Sequence, residues 1–308
     1  MLLIYLGVYG LSCVNPIIMS VFVTSETPTV LSEGQRTALI SLLADEDPCV
    51  YKSIRGTLLG YGHEVVGWLR PHLLSCDPVL RRRVQEIIQH LERHEADSRF
   101  LSFCLKQSEG LDVEMGSWLL ALTCYPDINL TAYQALLDNF ADTLRERLLH
   151  ANNSSSVLEI INHYLFNELG FSGNEQNYYE PDNSYLNRVI DRRTGNPISL
   201  CLVYLLIARR LRLPIVGIGM PGHFLCRYQT PISETYIDAF NRGKVLTKAE
   251  CIKYLMQSGH GYLDGYLAPV SPRRMLLRAC TNLHQIYVDL ELPKEAARLQ
   301  RYILALSK

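Results

Sequence analysis

The stretch from Asn196 to Asp238 carries side chains suited to acyl transfer or amide hydrolysis: Ser199, Cys201, His223 and Asp238. A thiol or hydroxyl becomes a nucleophile when a nearby imidazole takes its proton and a carboxylate fixes the imidazole tautomer. His223 follows a Pro221-Gly222 turn, and Asp238 lies fifteen residues on. The same residues have plainer uses. His223 and Asp238 also read as a structural pair holding a hairpin, and Cys201 as a small buried hydrophobe within an apolar helix. Ser199 completes hydrogen bonds of the first helical turn. Cys226, an odd number of residues from His223, falls on the opposite face of a pleated strand and reads as core. A metal site needs three or four convergent ligands, so His223 with Asp238 falls short and neither a metal nor a cofactor is expected.

These residues need elements to hold them. Gly195 to Leu211 reads as a helix opened by Pro197 and apolar on most faces, hence central and buried. Ile215–Met220, His223–Tyr228 and Thr235–Asp238 read as successive strands, the first two joined at Pro221-Gly222. Helix first, then hairpin strands packed on it, makes an α+β unit with a small antiparallel sheet over residues 151–271.

Residues 31–150 are helical in period throughout. An echo about thirty residues long repeats Asp47-Pro48 as Asp77-Pro78, each opening a helix with an acidic cap and a proline that sacrifices no hydrogen bond. The two units resemble a short HEAT-type array. The run Arg81-Arg82-Arg83 reads as a solvated, salt-bridged face, and Asp112, Glu114 and Asp127 as helix caps. A long amphipathic helix, roughly Leu130 to His150, turns Leu136, Leu137, Phe140, Leu144 and Leu148 inward. Residues 1–30 are set apart as an N-terminal extension: Met1 to Val23 has no charged side chain, and reads as sequence ahead of a true start at Met19 or as an anchor or signal.

The segments Tyr178-Tyr179-Glu180-Pro181-Asp182-Asn183-Ser184-Tyr185-Leu186-Asn187, Gly195-Asn196-Pro197-Ile198-Ser199-Leu200, Pro221-Gly222-His223-Phe224-Leu225 and Tyr236-Ile237-Asp238-Ala239-Phe240 together resemble the transglutaminase-like superfamily, and within it the SirB-type bacterial subgroup. The resemblance implies a nucleophilic Cys at the N-terminus of the central helix, a His on one strand and an Asp on the next. His223 and Asp238 match the last two. Where active members have Gly-x-Cys, this chain has Gly195-Asn196-Pro197, and proline cannot be a nucleophile. Cys201, one helical turn deeper, is the substitute nucleophile to weigh. The resemblance further implies a cleft lined by Asn196, Pro197 and Ser199, with Tyr178, Tyr179 and Tyr185 of the Tyr-rich loop beside them. It implies a tetratricopeptide-like (TPR) hairpin over residues 272–308, which must dock to bury its faces. Some eukaryotic F-box proteins share the core, which leans toward interaction.

The composition fits a globular chain: of 308 residues, 48% are hydrophobic and 20% charged, and the net charge of −1 supplies no field for a polyanion. No nucleic-acid partner is expected, and a membrane only through residues 1–23. Nine cysteines, never in a CxxC arrangement, indicate a reducing compartment without a disulfide framework or zinc ribbon, hence the cytoplasm. The expectation is a mostly helical α+β binding or scaffold protein that has lost its nucleophile at Pro197, taking a protein or peptide partner in the cleft or on the helical repeats. The alternative is a thiol-dependent amide hydrolase or acyltransferase using Cys201, His223 and Asp238.

Overall fold

The computed structural model describes residues 31–106, 110–231 and 233–308. The readings of residues 1–30 therefore lie outside the described residues. The Asp-Pro signals act as their chemistry dictates. Asp47 accepts from Cys49 N (2.8 Å) at the start of α2 (Pro48–Gly60), and Asp77 accepts from Val79 N at the start of α4 (Pro78–Cys104). With α1 (Glu33–Leu42) and α3 (Glu64–Leu69), these helices enclose a small core of Ile40, Leu58, Leu69, Val84 and Ile87. Arg81 and Arg82 of the arginine run are exposed, as a solvated face requires, but Arg83 is not part of that face. Arg83 donates to the Leu43 and Asp45 carbonyls (both 2.7 Å) and lies over Tyr51, tying α4 to the end of α1.

α4 runs on into a second, larger core, shared with α5 (Val113–Leu122), α6 (Leu130–Leu148), α7 (Ser154–Asn162), α8 (Leu186–Arg192) and the central α9 (Pro197–Arg210). A turn of π-helix, His163–Glu168, follows α7. Asp112 caps α5 as expected, accepting from Glu114 N and Met115 N, but Glu114 is no cap. It is buried against Arg210 at the far end of α9. One continuous core joins these helices: α6 packs on α9, and α5 on α8.

The main sheet is antiparallel in the order β3 (Ile215–Ile218), β4 (Leu225–Gln229), β5 (Glu234–Asp238), β6 (Lys244–Leu246). A two-stranded parallel pair, β1 (Ser172–Gly173) with β2 (Thr194–Gly195), precedes it. The β3–β4 pairing ends at Ile218 opposite Leu225, so His223 sits in the connecting loop ahead of the strand, and β6 and the helix α10 (Lys248–Gln257) are additions to the elements expected. The C-terminal helices α11 (Pro272–Asp289) and α12 (Pro293–Leu306) dock on the main core. Tyr287 and Tyr185 share a hydroxyl hydrogen bond (2.8 Å), Arg298 donates to the Thr123 carbonyl, and Arg301 pairs with Asp97. Among the described residues, no helix is long and apolar enough to cross a membrane.

Candidate functional site

The start of α9 is fixed by a buried amide network. The Asn196 carboxamide accepts from Ser199 N (3.0 Å) and donates to Ser184 Oγ (2.8 Å), while Ser199 Oγ donates to the carbonyls of Asn183 and Asn196. Asn183 in turn donates to the carbonyls of Asn177 and Tyr178. Buried amides make such bonds because leaving them unpaired costs about 1–3 kcal/mol each. The consequence is positional: the loop before α8 is held so that Tyr178 stands over the mouth of the central helix.

Across that mouth, His223 Nε2 lies 2.9 Å from Asp238 Oδ2. Asp238 also accepts from the Asn241 backbone N–H (3.1 Å) and side-chain amide (2.7 Å), and the backbone turns back through Gly243 N to the Asp238 carbonyl. Burial by itself pushes the Asp238 carboxyl up; hydrogen bonds from His223 and Asn241 outweigh it and hold the group below its usual range. It is therefore a carboxylate, which only accepts. Phe240 stands edge-on to the His223 ring and Tyr254 of α10 beside it, at centroid distances of 6.2 and 5.9 Å.

These groups line a cleft of about 590 Å³. Its walls are Tyr178, Phe240 and Tyr254, its floor includes Pro197 beside His223 and Asp238, and Lys244 and Lys253 stand at the rim. Of the residues expected to line it, Pro197 does. Asn196 and Ser199 lie behind it, consumed in capping α9. Tyr185 is a core residue, bonded to Cys124 and Tyr287, since its neighbours bury it completely. Tyr179 points outward, 68% exposed, packed against Tyr178, which takes the lining position.

Cys201 is 0% exposed and is not part of the cleft lining. Its thiol donates to the Phe224 carbonyl (3.5 Å), and Cys226 donates to the Cys201 carbonyl (3.7 Å). Burial, with Cys226 and Asp238 nearby, pushes the Cys201 thiol well up, the reverse of what a nucleophile needs. Sequence reasoning missed Asn241 and Tyr254, and had Phe240 only as the end of a motif, without a role. Asn241 had a local signal, an amide three residues past the acid it orients; Tyr254 had none, because only the docking of α10 brings it to His223. Among the described residues, no group of three or more His, Cys, Asp or Glu is placed to hold a metal ion.

The His223–Asp238 pair thus faces Pro197 across the cleft at the start of α9, and the comparisons agree with the fold. Residues 131–281 match the model of the transglutaminase-like superfamily. A UPF0162 protein of Xylella fastidiosa strain Temecula1 is 35% identical over 208 residues, 64% of this chain and 73% of the relative. The chain belongs to the transglutaminase-like UPF0162 family. A UPF0162 protein from Pseudomonas aeruginosa is 30% identical over 190 residues, 60% of this chain and 67% of its own length. Human F-box only protein 21 is 30% identical over 229 residues, 65% of this chain but 36% of the longer protein. No solved structure is significantly similar to the chain. The UPF0162 core thus recurs in a bacterial protein of similar extent and within a larger animal one.

Proposed function

We propose that this UPF0162 protein is a non-catalytic binding protein of the cytoplasm, whose transglutaminase-like cleft takes a protein or peptide segment. The observation that carries the reading is Pro197 on the cleft floor beside an ordered His223–Asp238 pair. Proline has neither a side-chain nucleophile nor an N–H, so the first position of α9 offers a bound carbonyl no attacking group. The aromatic walls suit side-chain insertion, since Tyr and Phe supply large contact area at low entropy cost. The shared region in a relative named for its F-box favours a protein partner. The SirB-type assignment and the reading of α11–α12 as a TPR-like unit belong to the same proposal; that hairpin already spends one face on the core.

The burial and raised thiol of Cys201 weigh against the amide hydrolase or acyltransferase alternative. The test has two arms. A displayed peptide library selected on the purified protein should yield a sequence family that loses about tenfold or more in affinity on Tyr254→Ala, as expected for an aromatic anchor residue. A panel of peptide amides and glutamine-containing acyl donors should show no turnover. Turnover abolished by Cys201→Ser would overturn the proposal in favour of the enzyme, and peptides that bind Tyr254→Ala equally well would overturn the cleft as the binding site.

A further inference from the structure

The hydrogen bonds around Asp238 determine how His223 is protonated toward the cleft. Asp238 is an acceptor only, and it already receives both donors of Asn241. The contact at 2.9 Å therefore requires His223 Nε2 to carry the hydrogen. In the neutral ring that leaves a lone pair on Nδ1. Among the described residues no protein donor bonds to Nδ1, although His223 lines the cleft. The rings packed on His223 are those of Phe240 and Tyr254, and Pro197 at the start of α9 offers only carbon. The one thiol of the lining, Cys251, is buried and pushed up to about 12, so the imidazole is prepared as a base with no exposed thiol of its own chain to act on.

Resting on the binding reading above, we infer that the cleft accepts a partner segment that brings its own protic nucleophile, a cysteine thiol or serine hydroxyl, to His223 Nδ1. The ligand's S–H or O–H donates to Nδ1; the proton passes to the ring, the bonding electron pair stays on the ligand's sulfur or oxygen, and Asp238 stabilises the imidazolium through Nε2–H. The space for that atom is the position at the first turn of α9 where Pro197 offers only carbon.

The pair's competence can be tested without knowing the partner by placing the nucleophile on the chain. Pro197→Cys puts a thiol at the first helical position, where the backbone N–H it adds has no intrahelical partner to disturb. Iodoacetamide labelling at about pH 6, read site by site by mass spectrometry, should modify the introduced thiol on the order of tenfold faster than exposed Cys49, after allowing for the lower nucleophilicity of an activated thiolate. His223→Ala in the same background should remove that advantage, and circular dichroism on both variants checks folding. Labelling no faster than at Cys49, or unchanged by His223→Ala, overturns the inference.

A second arm addresses the ligand-borne form. The wild-type protein should accelerate alkylation of N-acetylcysteamine saturably, and His223→Ala should not; absence of acceleration overturns delivery by the ligand while leaving the pair's competence standing. Nitrogen NMR of the imidazole supplies a check independent of reactivity, with the Nε2–H tautomer expected and Nδ1–H refuting. The peptide selection reports binding separately, so a cleft that binds peptides but fails these tests would retain the binding reading and lose this one.

Discussion

Arg210→Met should destabilise the protein through the charge it strands. Arg210 meets Glu114 through two hydrogen bonds, 2.7 and 3.0 Å, and Asp138 through a third, 2.6 Å. The Arg210 and Glu114 side chains are only 16% and 12% exposed, whereas Asp138 is 62% exposed. Losing the guanidinium leaves Asp138 in water at little cost but Glu114 as a buried, uncompensated carboxylate. Breaking such a pair costs about 3–5 kcal/mol, and the residual exposure of Glu114 favours the lower figure. With an unfolding entropy of roughly 2.1 cal/mol/K per residue over about 275 structured residues, Tm should fall by about 5–9 °C. Glu114→Leu in the same chain removes the stranded charge, and the double variant should return to within about 1 kcal/mol of wild type. Thermal melts and urea titrations of the wild type, both single variants and the double variant give the cycle. A loss below about 1 kcal/mol for Arg210→Met, or a double variant no better than it, would refute the claim that the pair clamps the central helix to the N-terminal helices.

Native cysteine labelling at about pH 8 should modify exposed Cys49 and Cys76 readily. It should spare Cys201, Cys226 and Cys280, and also Cys104 and Cys251, whose thiols burial pushes up to about 12. A thiol at that value is ionised to about one part in ten thousand at pH 8, against roughly one in four for an ordinary thiol, so equal labelling of Cys104 and Cys49 would contradict the burial described. Asp238 is held below its usual range in the folded state, so its contribution is complete above the unfolded carboxyl value, about 3.9, and is lost as pH falls through the lower folded value. Asp238→Asn should therefore flatten the stability profile below about pH 4 by up to roughly 1.4 kcal/mol per pH unit, measured as urea midpoints; an unchanged slope would remove Asp238 from the acid response. Gly243 has φ +73°, and a Cβ there would strike the Phe166 ring and Asn162, so Gly243→Ala should cost at least about 2 kcal/mol from strain and overlap together, read by urea denaturation; a smaller loss would show that the turn holding Asn241 relaxes freely.

The sequence by itself determined the parts whose signals are local. Asp47 and Asp77 cap the helices their prolines begin, because the bonds they make reach only two or three residues along the chain. The apolar run from Pro197 to Arg210 could only be a central helix, and the order of short motifs placed His223 and Asp238 within one site. Tertiary structure decided everything that depended on which surfaces meet. Tyr185 and Tyr179 share a loop and a residue type, yet docking of α11 buries one and leaves the other in solvent. Glu114 follows a capping aspartate and has the composition of a cap, but α9 delivers Arg210 to it from 96 residues away. Tyr254 reaches His223 only because β6 returns the chain and α10 folds back across the cleft. A local pattern states what a segment can bury or cap; which partner arrives is a property of the packed whole, where long-range contacts set each side chain's solvent, charge and neighbours.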